Sequence, residues 1–325
     1  PGPLLKANVG DILKIDFKKS LDQPTSIHWH GIKNINKMDG VPYLTQDPVQ
    51  PGETFSYEFP VNQSGTYWYH AHFESWKQVA KGLYGPLVVN DKTDDLIEDD
   101  IVILADDWRL NKNYQIDEKS FGSLMDWSHA GRIGNWLTIN GKKSPQYSIK
   151  ENSIARLRFI NASNARVLKF GSSLKNNNII TIDGVAVKSM LVEDFTLAPG
   201  QRIDLLINTA DLLKVDFFEI SHTKQLKAFT LNVTKADNKT KNITNIKFKS
   251  NLILPKIDNA KTIDIRMQGG AMGNLSKANL DGVQKDFRTL ATEDKKLWAF
   301  NKDIGSYEYL LSTVKLNQVV ILDVW

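Results

Sequence analysis

Ile27-His28-Trp29-His30-Gly31 and Tyr67-Trp68-Tyr69-His70-Ala71-His72 decide how this chain is read. Four of its six histidines fall in these two pieces, as two His-x-His pairs. Both pieces are rich in β-branched and aromatic residues, the composition of strands. Side chains alternate faces along a strand, so His28 and His30 share one face while Trp29 takes the other. His70 and His72 repeat the pattern, with Ala71 opposite. Two neighbouring strands carrying such pairs bring four imidazoles into one small volume. A single pair is equally well explained as a polar face or a satisfied core histidine. Four uncompensated imidazoles are costly to bury together, which favours a metal. Neutral imidazole suits copper, zinc, iron and nickel, and spacing alone does not choose among them.

The surroundings of the two pairs narrow the choice. His28-Trp29-His30-Gly31 is followed by Met38-Asp39-Gly40-Val41-Pro42, by Gln46 and by Pro51-Gly52-Glu53-Thr54. Then come Gly65-Thr66-Tyr67-Trp68-Tyr69-His70-Ala71-His72 and Gly82-Leu83-Tyr84-Gly85-Pro86-Leu87-Val88-Val89. In order and spacing this resembles the first domain of multicopper oxidases, closest to the bacterial laccase-like and copper-resistance branch. The resemblance implies an all-β chain of tandem cupredoxin-like Greek-key β-sandwiches. It also implies copper as the metal. His28 would bind the type 2 copper, His30 and His70 would share one type 3 copper, and His72 would bind the other. Asp39 matches the family's acidic residue beside the type 2 channel, where a carboxylate relays protons or holds a water through hydrogen bonds. Read without the family, Asp39-Gly40 is an ordinary turn signal. Trp29, Trp68 and Tyr69 read as core packing rather than electron relays.

At 325 residues the chain suggests two to three domains with a substantial core. It is 41% hydrophobic and 24% charged, with no apolar run long enough to span a bilayer. The net charge of +4 is modest and interleaved, so no basic stripe supports a nucleic-acid partner. The first residues, Pro1-Gly2-Pro3-Leu4-Leu5, resemble the family's first strand with its beginning trimmed; any export signal is expected to lie outside the sequence. A periplasmic or secreted location follows from the family alone. There is no cysteine, which excludes disulfides, a cysteine nucleophile and a blue-copper centre built on a thiolate.

Short strands are expected over Asp11–Phe17, Thr25–Gly31, Thr54–Phe59, Gly65–His70 and Gly85–Val89, separated by turn signals, with one helix-like stretch at Glu74–Lys81. This gives a first sandwich over residues 1–92. Asp91 to Asp100 holds six acids and reads as a solvated linker. A second sandwich is expected over residues 100–237, with strands at Trp136–Ile139, Ile154–Ile160, Ile179–Ile182, Arg202–Ile207 and Phe217–Ser221. Leu137-Thr138-Ile139-Asn140-Gly141, Leu157–Ser163 and Leu197-Ala198-Pro199-Gly200-Gln201-Arg202-Ile203-Asp204 resemble the family's second domain. Only His129 and His222 fall here, so this domain reads as a spacer. Lys235 to Asn251 reads as a loop or ragged edge within an inter-domain segment over residues 238–292. In that segment Met267 and Met272 form a soft pair that can hold cuprous ion, although methionines in a Gly-rich loop are more often gap-fillers.

Residues 293–325, with Leu297–Asn301 and Val314–Val324 as strands, resemble the opening of a third cupredoxin domain. In the family, later strands bring the other cluster ligands and the blue-copper site. The expectation is therefore a multicopper oxidase whose C-terminal domain is missing through truncation, proteolysis or disorder. The intact protein would couple one-electron oxidation of a phenolic or metal-ion reductant to four-electron reduction of dioxygen to water. Two other readings stay open. One is a non-catalytic scaffold or copper-binding protein of the same fold, disfavoured because such relatives lose the histidines kept here. The other is a true two-domain copper protein, disfavoured because it needs a cysteine.

Overall fold

In Leu13-Lys14-Ile15-Asp16-Phe17-Lys18 the apolar residues turn inward and the charged ones face solvent, the alternation of a half-buried strand. The same logic repeats along the chain. The computed structural model describes residues 1–221, 224–236, 248, 254–305 and 310–325. One compact unit comprises residues 1–118 and 132–251, and a second comprises 119–131 and 252–325.

The first sandwich is built from β1 (Leu5–Asn8), β2 (Ile12–Lys18), β3 (Ile27–His30), β4 (Thr54–Pro60), β5 (Gly65–Ala71) and β6 (Tyr84–Asn90). One sheet runs β1-β6-β5-β3 and the other pairs β2 with β4. Trp29, Tyr57, Phe59, Tyr67, Leu87 and Val89 fill the space between. A short helix, Ser75–Gln78, and a 3-10 turn, Val79–Lys81, lead out of the second histidine pair, matching the helix-like stretch.

The second sandwich follows with β7 (Asp99–Trp108), β8 (Trp136–Ile139), β9 (Gln146–Lys150), β10 (Ile154–Asn161), β11 (Leu168–Ser172) and β12 (Asn177–Ile182). It continues with β13 (Val185–Val192), β14 (Asp194–Leu197), β15 (Arg202–Asn208), β16 (Lys214–Glu219) and β17 (Leu226–Thr234). A six-stranded sheet, β13-β12-β15-β10-β7-β8, faces a five-stranded one, β14-β11-β16-β17-β9. Its core is aromatic: Phe217 and Phe229 stack 4.6 Å apart, with Phe159 and Phe170 beside them. Trp68, Val79 and Tyr84 of the first sandwich bury themselves against Leu104, Ile160 and Ala162 of the second.

Two expectations change. Asp91 to Asp100 is not a solvated linker: β7 begins at Asp99, and Asp94 and Asp100 turn inward. The cause lies on β10, where Arg156 and Arg158 share a face that is buried between the sandwiches. Buried guanidinium groups need carboxylates. Asp94 binds both arginines, Asp100 binds Arg158 at 2.6 Å, and Asp204 binds Arg156 at 2.5 Å. The strand expected over Val314–Val324 spans only Val320–Val324, because Lys315 to Gln318 make a turn that leaves Leu316 in solvent. Strands of the segment expected over residues 238–292 pair with strands of the segment expected over 293–325. Met267–Gly269, Lys277–Leu280 and Val283–Asp286 form one sheet with Trp298–Phe300 and Asp303–Ile304, over a small core of Leu275, Ala278, Leu290, Ala299 and Ile304. Most of Lys235–Asn251 lies outside the described residues, as does His222. Among the described residues no helix is long and apolar enough to cross a membrane.

Candidate metal centre

β3 and β5 pair antiparallel with His28 opposite His70, Trp29 opposite Tyr69 and His30 opposite Trp68. Opposed residues share a face, so Trp29 and Tyr69 go one way and the imidazoles go the other. His72 lies just past β5, where its N–H donates to the Ser26 carbonyl at 3.1 Å and continues the ladder. All four imidazoles therefore lie on one face. His28 is 5.6, 5.4 and 5.2 Å, centroid to centroid, from His30, His70 and His72. Nitrogens of His28, His30 and His70 lie within 4.8 Å of one another.

Hydrogen bonds set the rings' orientation. His28 donates from Nδ1 to the Asp39 carbonyl at 2.7 Å, and His70 donates from Nδ1 to the Ala71 carbonyl at 3.0 Å. Each therefore carries its lone pair on Nε2 when the ring is neutral. His70 Nε2 is 3.3 Å from His30 Nδ1. Burial pushes His70 down to about 3; burial, then the Arg202 charge and the neighbouring imidazoles, pushes His30 down to about 4. His72 is also lowered, first by burial and then by His28. Burial keeps His30, His70 and His72 neutral as nitrogen donors, and such a half-buried convergence fits a borderline metal such as copper, since protonated rings cannot ligate.

Asp39 reaches the site chiefly through its main chain. Its carboxylate is 3.6 Å from the His28 Nδ1 that its carbonyl already holds. The Asp39-Gly40 turn is docked on β3, with Ser26 Oγ donating to the Gly40 carbonyl at 2.6 Å. Gly40 has φ +78°, and a side chain there would run into the Ile27 carbonyl.

Trp29 and Tyr69 pack in the sandwich core as expected. Trp68 packs too, but on the histidine face, in the cluster between the sandwiches, 4.4 Å from His70 and 5.1 Å from His30, and its indole N–H has no partner. Period-two spacing in Trp68-Tyr69-His70-Ala71-His72 already puts it there. His129, in the other compact unit, is exposed with Nδ1 against the Met125 carbonyl at 3.1 Å. Met267 and Met272 are 52% and 91% exposed, so neither fills a gap. Sequence reading also missed Thr66, whose hydroxyl on β5 donates to Asp204 of β15 at 2.7 Å. Its signal was the pair Arg156 and Arg158, two residues apart in an otherwise apolar strand.

Residues 1–94 match one multicopper oxidase family model and residues 99–248 match a second. The chain belongs to the multicopper oxidase family. Laccase-1 of Cryptococcus neoformans var. neoformans is 31% identical over 246 residues, 67% of this chain and 39% of that protein. A copper resistance protein A homolog of Pseudomonas syringae pv. tomato is 30% identical over 256 residues, 65% of this chain and 43% of that protein. Among solved structures, a multi-copper oxidase from Pseudomonas thermotolerans superimposes with a TM-score of 0.76 at 28% identity, covering 82% of this chain and 64% of the other. This multicopper oxidase chain thus spans about two fifths of the length of the curated relatives it matches. Membership makes the sandwiches cupredoxin-like, and the family is one that implies copper.

Proposed function

We propose that this chain supplies half of the ligands of a trinuclear copper cluster in a laccase-like oxidase. His28 serves the type 2 ion, His30 and His70 one type 3 ion and His72 the other. The observation that carries this is the convergence of four imidazoles on one face of β3 and β5, three of them with nitrogens within 4.8 Å. When bound, copper supplies the redox chemistry, coupling one-electron oxidation of a phenolic or metal-ion reductant to four-electron reduction of dioxygen to water.

The chain's own residues do the rest. The Asp39 and Ala71 carbonyls hold His28 and His70 with Nε2 presented to the pocket. Trp68 forms an apolar wall beside His30 and His70 and keeps water from that side. The Asp39 carboxylate, part-exposed beside His28, is the group placed to pass a proton between solvent and the cluster. Turnover further needs the remaining ligands and a thiolate copper site, because this sequence has no cysteine. A periplasmic or secreted setting suits such a protein.

The test uses a protein that contains this chain together with those further ligands. His30→Ala is expected to abolish oxygen uptake and lower copper content, with melting temperature little changed. Near-normal oxygen uptake would remove His30 from the cluster. Copper binding without any oxygen uptake in the unmodified protein would favour a copper-binding scaffold instead.

A further inference from the structure

Leu197-Ala198-Pro199-Gly200-Gln201-Arg202-Ile203-Asp204 carries the family likeness of the second sandwich but no metal ligand. Its turn lies against the histidine face. A methyl group added at Gly200 would sit 3.2 Å from Cε1 and 3.5 Å from Nε2 of His30, and 3.7 Å from the Trp68 indole. The His30 ring is therefore flanked by that indole and by bare backbone of the neighbouring sandwich.

Arg202 fixes this backbone. It is 4% exposed and donates to the carbonyls of Gly200 at 3.0 Å, Asp183 at 3.1 Å and Thr66 at 3.3 Å, and it pairs with the Asp183 carboxylate at 2.9 Å. Gly200 N–H in turn donates to the Asn161 carbonyl at 2.8 Å. Thr66 lies on β5, the strand that carries His70. One side chain thus ties the turn to the strand bearing the second histidine pair. Its guanidinium also lies where a side chain on Gly31, the residue after His30, would have to go.

The geometry points to the Gly200–Arg202 turn as a positioning element that holds the His30 imidazole in its ligating orientation, a role that rests on reading His30 as a ligand. The second sandwich is then a wall of the metal site as well as a spacer.

Gly184 provides a matched control. It has φ +79°, as Gly200 does, and a methyl group there would also meet its nearest atom at 3.2 Å, but that atom belongs to Tyr67 and not to a histidine. Gly200→Ala and Gly184→Ala should therefore share backbone strain and crowding; only the first touches His30 and Trp68, while the second sits beside Asp183, a partner of Arg202. In metal-free protein, carbon–proton NMR of the histidine Cε1–H groups reads ring environment, and titration with zinc reads the assembled site. Both variants should melt at lower temperature. Gly200→Ala alone should shift the His30 resonance and weaken zinc binding by about tenfold or more, the usual effect of disturbing a ligand's support. Arg202→Gln, which loses most of the fork, should behave like Gly200→Ala. An unmoved His30 resonance in Gly200→Ala, or in Arg202→Gln, overturns the proposal. If a protein that joins this chain to the further ligands takes no copper, it is the ligand reading of His30 that fails, and the resonance comparison still decides the positioning.

Discussion

His28 stands directly across from His70 in the β3–β5 ladder, their rings 5.4 Å apart. That one register determines what each neighbour does. It puts His30 and Trp68 on the histidine face and sends Trp29 and Tyr69 into the core of the first sandwich. A slip by one residue would exchange the two sets, exposing Trp29 and burying imidazoles among Tyr57 and Phe59. The indole that packs the sandwich thus also holds the histidine pairs in alignment.

Trp29→Ala and His30→Ala should separate these two duties. Trp29 is 1% exposed and packs against Tyr57 and Phe59, so its truncation should cost about 3–5 kcal/mol. His30 points out of that core, so its loss should cost far less stability and should weaken metal binding instead. Urea unfolding of the metal-free chain measures the first effect and zinc titration the second. Equal destabilisation by both changes would contradict the assigned faces.

At Asp39 the main chain and the carboxylate make separable contributions. The carbonyl holds His28 at 2.7 Å while the carboxylate stands 3.6 Å away. Asp39→Ala keeps the carbonyl and should leave metal affinity within about threefold, a loss smaller than that of a group directly supporting a ligand. Gly40→Ala should do more harm, because the added carbon meets the Ile27 carbonyl and must displace the turn. In a turnover-competent protein, Asp39→Ala should lower oxygen uptake at unchanged copper content. A large fall in metal affinity for Asp39→Ala would mean that the carboxylate, not the carbonyl, sets the ring.

The histidine face was legible because period-two spacing is local: two His-x-His pairs in strand-like runs fix which residues share a side before any pairing is known. Trp68 was read as core packing and is so, but the same rule also puts it on the histidine face, in the cluster between the sandwiches. Arg202 and Gly200 could not be found that way, since their role depends on one sandwich docking on another, more than a hundred residues along the chain. The acids from Asp91 to Asp100 were misread for a related reason. A charge run is solvated by default, and only the arginines of a distant strand turn Asp94 and Asp100 inward.

That buried network makes stability depend on pH. Burial alone would raise the Asp204 carboxyl, but Arg156 and Arg158 hold it below its ordinary value of 3.8. A depressed carboxylate stabilises the fold fully above that ordinary value, and its contribution is lost as pH falls below it toward the folded-state value. Asp204→Asn should therefore cost about 3–5 kcal/mol near neutrality, by leaving two guanidinium groups short of a partner. The deficit against the parent should shrink as the pH drops below about 4. Urea unfolding at pH 7 and at pH 3 measures both; a deficit that stays constant would show that Asp204 keeps its proton state throughout.

Trp68 gives the most discriminating substitution at the site, because its indole N–H has no partner and its ring does all the work. It lies 4% exposed between His30 and His70 on one side and Tyr84 on the other, in the cluster that joins the two sandwiches. Trp68→Phe keeps an aromatic face and sacrifices no hydrogen bond. It should cost roughly 1–2 kcal/mol for the smaller ring, below the full penalty for truncating a buried aromatic, and should leave zinc affinity close to that of the parent. Trp68→Ala removes the wall. It should cost about 3–5 kcal/mol and free His30 and His70 to turn, so zinc binding should weaken along with stability. Thermal melting, urea unfolding and zinc titration of the two variants test the reading together. If Trp68→Phe loses metal affinity as severely as Trp68→Ala, the indole N–H has a role at the site that packing does not explain.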